Sequence, residues 1–205
     1  MKYPLVLAIT GASGVIYGQR LLEVLLQAGV EVYLTISESG RLVLQHELGL
    51  QVDLNRFSID QILPAYSGDR ARASQQVKYN HYKDFLTPIA SGSFKTAAMV
   101  VCPCSGSTLS GIANAASQNL IQRAADVHLK ERRPLILVPR ETPLSLIQLD
   151  NLRTTCAAGA TILPAAPGFY HGYQTVQDLV DFVVARILDH LDVPHALMKP
   201  WGSEV

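Results

Sequence analysis

Short runs that are apolar at every position alternate along this chain with longer amphipathic stretches, and that alternation restricts the fold more than any other feature. Leu5 to Thr10, Glu31 to Ile36, Ala97 to Cys102, Pro134 to Val138 and Ala160 to Leu163 read as strands. Val15 to Ala28, Glu38 to Leu48, Ser107 to about Arg132, Leu144 to Ala158 and Thr175 to Leu191 read as helices. The last is the clearest, because Val176, Leu179, Val180, Val183, Ile187 and Leu191 fall on one stripe. Gly29 and Gly159 stand where helices should stop. Strands with no polar alternation must be covered on both faces, and the intervening helices can supply that cover. The expected architecture is α/β: a doubly wound parallel sheet between two helical layers in a single domain.

Residues 1–193 are expected to form that domain, and 194–205 an extended tail holding the only tryptophan, Trp201. The stretch from Gln51 to Pro88 is the least periodic and carries Tyr66, Tyr79 and Tyr82. It reads as an irregular excursion, a lid or a subunit contact. Charged residues make up 17% of the 205, against about 25% in an average domain. So few charges leave surface that other copies of the chain are expected to cover. Lys plus Arg equals Asp plus Glu at 17 each, which argues against a nucleic-acid partner. No apolar run approaches the roughly 18 residues of a membrane span. The run Leu5 to Ile9 is too short for a signal-peptide core. Three sparse cysteines make no disulfide framework, and a reducing cytoplasm is the simplest compartment.

In open parallel sheets, ligands bind beyond the carboxyl ends of the strands. The residues expected there are Gly11, Ala12, Ser13 and Gly14, then Ser37, then Ser105, Gly106, Ser107 and Thr108, then Arg140 and Glu141, and last Pro167 to Tyr170. Small residues let backbone N–H groups approach an anion, and helix N-termini add a positive dipole. The first loop, Gly-Ala-Ser-Gly-Val-Ile-Tyr-Gly, lacks the dinucleotide fingerprint. It is either a ligand loop or the structural turn any such fold needs. Two similar turns favour a ligand of mononucleotide size. Cys102 and Cys104, a C-x-C pair without a second pair, read as buried thiols rather than a metal or redox site. The six histidines form no ligand pattern, so no metal is expected; His81 alone remains a weak catalytic candidate. Arg132 and Arg133 read as a solvated helix terminus. Arg123, in an apolar helix, and Glu47 are each open to a structural or a functional reading.

Several segments are recognisable together. Thr10-Gly11-Ala12-Ser13-Gly14, Pro88-Ile89-Ala90-Ser91-Gly92-Ser93, Cys102-Pro103-Cys104-Ser105 and Asn119 to Val127 resemble the UbiX-type flavin prenyltransferases. So do Lys130-Glu131-Arg132-Arg133-Pro134-Leu135, Leu137-Val138-Pro139-Arg140-Glu141, Pro164 to Tyr170 and Pro200-Trp201-Gly202. The resemblance runs from about Tyr3 to Gly202. It implies a Rossmann-like flavoprotein fold and a homo-oligomer, typically a dodecamer, with active sites between subunits. It further implies an enzyme that joins a dimethylallyl group from dimethylallyl phosphate to N5 and C6 of reduced FMN, with no metal. The product, prenylated FMN, would serve a UbiD-type decarboxylase, as in ubiquinone biosynthesis. An older label for such proteins is 3-polyprenyl-4-hydroxybenzoate carboxy-lyase.

Carried over residue by residue, the resemblance assigns Gly11, Ala12, Ser13, Ser37, Ser105, Gly106, Ser107, Thr108 and Arg140 to FMN. It assigns Ser91, Arg123, Lys130, Tyr170 and Arg186 to the dimethylallyl phosphate, with Tyr170 and Arg186 coming from a neighbouring subunit. The catalytic group it implies is Ser13, Glu47, Lys130, Glu141 and Trp201. The chemistry makes these types intelligible, since a departing phosphate gathers negative charge that Lys and Arg can stabilise. The rival readings are a flavin-dependent cysteine decarboxylase, for which Asn80-His81 and Pro88 to Ser93 would be the relevant segments, and a non-catalytic FMN carrier.

Overall fold

A computed structural model describes residues 2–198. Among them run six strands, β1 (Leu5–Ile9), β2 (Val32–Ile36), β3 (Val77–Tyr79), β4 (Ala98–Cys104), β5 (Leu135–Pro139) and β6 (Thr161–Ile162). Seven α-helices connect and flank them: α1 (Val15–Gln27), α2 (Glu38–Leu48), α3 (Arg70–Gln76), α4 (Gly106–Ala113), α5 (Leu120–Lys130), α6 (Leu146–Ala157) and α7 (Val176–His190). All pairings are parallel, in the order β3-β2-β1-β4-β5-β6. The order reverses between β1 and β4, so the crevice at their carboxyl ends is where this topology binds ligands.

Strand alternation divides the core into two layers. Leu5, Leu7 and Ile9 point to one face, where they join Leu21, Leu22 and Leu25 of α1 and Val183, Val184 and Ile187 of α7. Val6 and Ala8 point to the other, with Leu109 and Ile112 of α4 and Leu120, Ile121, Ala124 and Ala125 of α5. Gly18 lets α1 settle on the sheet, since a Cβ there would collide with the Cys102 carbonyl. Arg20 joins α1 to α7 through two hydrogen bonds to Asp181, at 2.7 and 3.1 Å.

The structure departs from the sequence reading in three places. The excursion from Gln51 supplies α3 and a sixth strand, β3, which extends the sheet beyond β2 with Val77 opposite Val32. Three residues, one of them the exposed Lys78, are too few for a hydrophobic period to show. The helical region from Ser107 to Arg132 is two helices, interrupted where Ala115 and Ser117 adopt left-handed backbone with φ of 50° and 46°. Arg133 is folded inward, with its side chain only 15% exposed. Trp201, with the rest of 199–205, lies outside the described residues. Pro194 to Met198 carry no regular structure, and Leu197 and Met198 pack against the core.

Candidate active site

Four of the expected loops follow the neighbouring strands β2, β1, β4 and β5. The loop after β1 turns into α1 at Gly14, whose φ of 95° suits glycine. No side chain of that loop caps α1. Glu47, reaching across from α2, accepts from the N–H of Gly14 at 2.9 Å and of Val15 at 3.2 Å. Its carboxylate meets the positive end of the α1 dipole beside Ser13. Ser37 caps α2 by accepting from the Gly40 N–H at 2.9 Å. Gly11 lies so close to Ser39 that a Cβ would not fit, so these two loops are packed as one wall.

The second turn opens α4. Ser105 is its cap, accepting from the Thr108 N–H, and its hydroxyl is 3.0 Å from that of Thr108 and 3.2 Å from that of Ser107. Thr10, which sequence reasoning passed over, ties this turn to the first. Its buried hydroxyl donates to the Pro103 carbonyl at 2.7 Å and accepts from the Ser105 N–H at 2.8 Å. The sequence signal was a hydroxyl closing an otherwise apolar strand, since a polar group buried there calls for a partner. Arg140, after β5, donates from Nε to the Ser13 carbonyl at 3.3 Å, so three loops meet at the switch point. Glu141 accepts from Gln148 of α6 at 3.4 Å and from its neighbour Thr142 N–H at 3.2 Å.

The other expected residues lie elsewhere. Arg123 of α5 donates to the Ala90 carbonyl at 3.0 Å and to Asp126 at 3.0 Å, which brings it to the Ser91 segment. Lys130 ends α5 and donates to Glu131 at 2.9 Å. That bond holds the Glu131 carboxyl below the usual carboxylate range. In a parallel sheet the connecting helix returns to the amino end of the next strand. Lys130 accordingly stands five residues before the start of β5, and Phe94 four before the start of β4. The small-residue loops after β1 and β4 are at the opposite ends of the sheet's strands. Five residues of strand span about 16 Å, so one chain does not join Lys130 to the loop at Ser105. The structure thus brings Ser13, Glu47, Ser37, Ser105 to Thr108 and Arg140 into one crevice, and gathers Ser91, Arg123 and Lys130 into a second cluster. Tyr170 is exposed in the loop after β6, edge-on to Phe182 of α7 at 5.8 Å. Arg186, half exposed, is paired with Asp189 of its own helix at 2.6 Å.

Burial pushes the Cys104 thiol up to about 12 and the Cys102 thiol up further, so neither is a nucleophile at neutral pH. The thiol reading of this pair holds. Among the described residues no group of three or more His, Cys, Asp or Glu is placed to hold a metal ion, and no helix is long and apolar enough to cross a membrane.

A small-residue crevice at the switch point of an all-parallel sheet defines a nucleotide-binding α/β protein. The family model described as Flavoprotein matches residues 1–188. The flavin prenyltransferase UbiX of Pseudomonas aeruginosa is 50% identical over 198 residues, covering 97% of this chain and 93% of that protein. Among solved structures, AnUbiX (PadA1) in complex with FMN and dimethylallyl pyrophosphate superposes with a TM-score of 0.83 at 34% identity, over 98% of both chains. A dodecameric FMN-dependent UbiX-like decarboxylase from Escherichia coli O157:H7 does so at 0.83 and 35% identity, over 98% of this chain and all of the other. This chain belongs to the flavoprotein family and, within it, to the UbiX flavin prenyltransferases.

Proposed function

We propose that this protein transfers the dimethylallyl group of dimethylallyl phosphate to N5 and C6 of reduced FMN, and that the prenylated FMN goes to a UbiD-type decarboxylase. The observation that carries the reading is the presence on one chain of two unlike half-sites, a small-residue crevice and a cation cluster. The crevice fits FMN. Its loops at 11–14 and 105–108 are built of small residues that leave room for a ligand, and the first turn of α4 at Gly106 and Ser107 offers N–H groups. Ser37 lies on the adjoining wall, and Arg140 contributes a positive charge, while the N–H groups of Ala12 and Gly14 are taken by the Thr10 carbonyl and by Glu47. When bound and reduced, FMN supplies the nucleophilic nitrogen and the ring carbon that receive the prenyl group.

The chain's own residues do the rest. Arg123, Lys130 and Arg186 gather the charge of the departing phosphate, which Ser91 holds by its hydroxyl. Cations fixed in this way remove the need for a divalent ion. Tyr170 walls the prenyl chain and keeps water out, and Trp201, outside the described residues, is kept as a further catalytic candidate from the resemblance alone. Glu47 beside Ser13 moves a proton near N5, and Glu141 serves the proton transfers on the phosphate side.

Separation of the half-sites by the height of the sheet supports active sites shared between copies. So does α6, which leaves Leu146 and Ile147 each 74% exposed, a costly surface for a lone chain. We read the assembly as a dodecamer in the cytoplasm. A cysteine decarboxylase would need a different loop at Pro88 to Ser93, and a simple FMN carrier would need no second cluster of cations. The deciding experiment incubates the FMN-loaded, reduced protein anaerobically with dimethylallyl monophosphate or diphosphate, with and without a chelator, and weighs the flavin. A mass gain of one prenyl unit that survives the chelator is expected. An unchanged flavin with both donors would end the proposal.

A further inference from the structure

The two arginines that follow Lys130 and Glu131 look alike in sequence and differ in place. Arg132 is exposed, at a φ of 54°. Arg133 turns back under the segment from Ser91 to Phe94. Its Nη1 donates to the Phe94 carbonyl at 2.7 Å and its Nη2 to the Gly92 carbonyl at 2.5 Å. Nη1 also lies 3.4 Å from the hydroxyl of buried Thr96, which bonds to His128 Nε2 at 2.9 Å. The segment is a closed turn, since Phe94 N–H donates to the Ser91 carbonyl at 3.3 Å. From the other side Arg123 Nε takes the Ala90 carbonyl.

The carbonyls of 90, 92 and 94 are therefore all committed to guanidinium groups. A carbonyl oxygen facing an anion repels it, whereas a hydroxyl donates to it. Drawing the carbonyls to one side leaves the turn to present Ser91 and Ser93, whose hydroxyls lie 2.9 Å apart. Glu131 completes the support. It bonds Lys130, approaches Arg133 Nη2 to 4.0 Å, and presses against Gly92 where no Cβ would fit.

We propose that Arg133 is a positioning residue of the donor half-site: without meeting substrate, it holds the 91–94 turn with its hydroxyls toward the phosphate. This rests on the reading that the turn and Lys130 hold dimethylallyl phosphate. A planar fork serves two carbonyls at once, which a lysine ammonium cannot reproduce in the same geometry.

The test uses the full-length, assembled, FMN-loaded protein carrying Arg133→Met or Arg133→Lys. Calorimetry gives the affinity for FMN and, with oxidised flavin bound, for dimethylallyl phosphate; steady-state rates give kcat and KM. Arg133→Met should weaken donor binding and raise KM by about tenfold to a hundredfold, with FMN affinity unchanged. Arg133→Lys should recover part of the loss. Adding Ser91→Ala to Arg133→Met should cost no more than the larger single change, because the Ser91 hydroxyl acts only while Arg133 holds the turn that carries it. Unchanged donor affinity, a lowered melting temperature alone, or strictly additive losses would overturn the assignment. If Arg133→Met does not assemble, Arg133→Lys carries the same readings. A wild type that binds the donor but never prenylates flavin sinks the functional reading and leaves Arg133 to be judged on binding. A wild type that binds no donor overturns both.

Discussion

The hydroxyl of Thr10 accepts the N–H of Ser105 at 2.8 Å, 95 residues along the chain, and donates to the Pro103 carbonyl at 2.7 Å. It is wholly buried, and it fixes the spacing of the loops after β1 and β4. Thr10→Val keeps the shape and leaves the Ser105 N–H without its acceptor. A loss of about 1–3 kcal/mol is expected, or about 2–4 °C of melting temperature per kcal/mol in a chain of this size. FMN affinity should fall as well, since Ser105 opens the α4 turn. Calorimetric melting and flavin titration on the same samples check this. A melting drop with intact flavin affinity would show that the loop spacing is unimportant to binding.

Cys102 and Cys104 are buried in β4, whereas Cys156 is exposed on α6. A thiol reagent applied to the native protein should therefore label no more than one cysteine per chain, and all three after unfolding. Fast labelling of a second thiol would mean that β4 opens under native conditions.

The central strands were legible because burial on both faces leaves no polar position to confuse the pattern, as in β1. Loop positions followed from topology, which is why Ser13 and Arg140 were named before their contact was seen. β3 escaped notice because its pairing with β2, rather than its own three residues, makes it a strand. Arg133 was misjudged for a related reason. A helix terminus is ordinarily solvated, and only the return of the chain from Gly92 to Phe94 covers it. That Lys130 and the small-residue crevice stand at opposite ends of the sheet depends on helix direction, which residue types do not reveal.

His128 is 1% exposed, and burial, helped by nearby Arg133, lowers its pKa from 6.5 to about 4. It sits neutral, with Nδ1 at 2.7 Å from the Ala124 carbonyl. The unfolded chain binds that proton more readily, so acid favours unfolding. The contribution is complete above about pH 6.5 and disappears as the pH falls toward about 4. Between pH 7 and pH 5 about 2 kcal/mol should be lost through this group. Urea midpoints at fixed protein concentration should fall less steeply with acid in His128→Gln than in wild type. Parallel pH profiles for the two would refute the role.

Glu47 is the residue whose two readings the structure brings closest together. As a cap it accepts the Gly14 and Val15 N–H groups at the head of α1, next to Ser13. As a proton carrier it would act from the same place. Glu47→Gln separates the two, because the amide oxygen still accepts an N–H while the titrating group is gone. Losing the charge at the helix N-terminus should cost only about 0.3–1 kcal/mol, so FMN binding and the assembly should persist. Losing a general acid–base should lower kcat by about a hundredfold. Single-turnover prenyl transfer, with flavin affinity measured alongside, gives both quantities. An unchanged rate would leave Glu47 as a cap of α1, and the proton near N5 would have to come from elsewhere in the crevice.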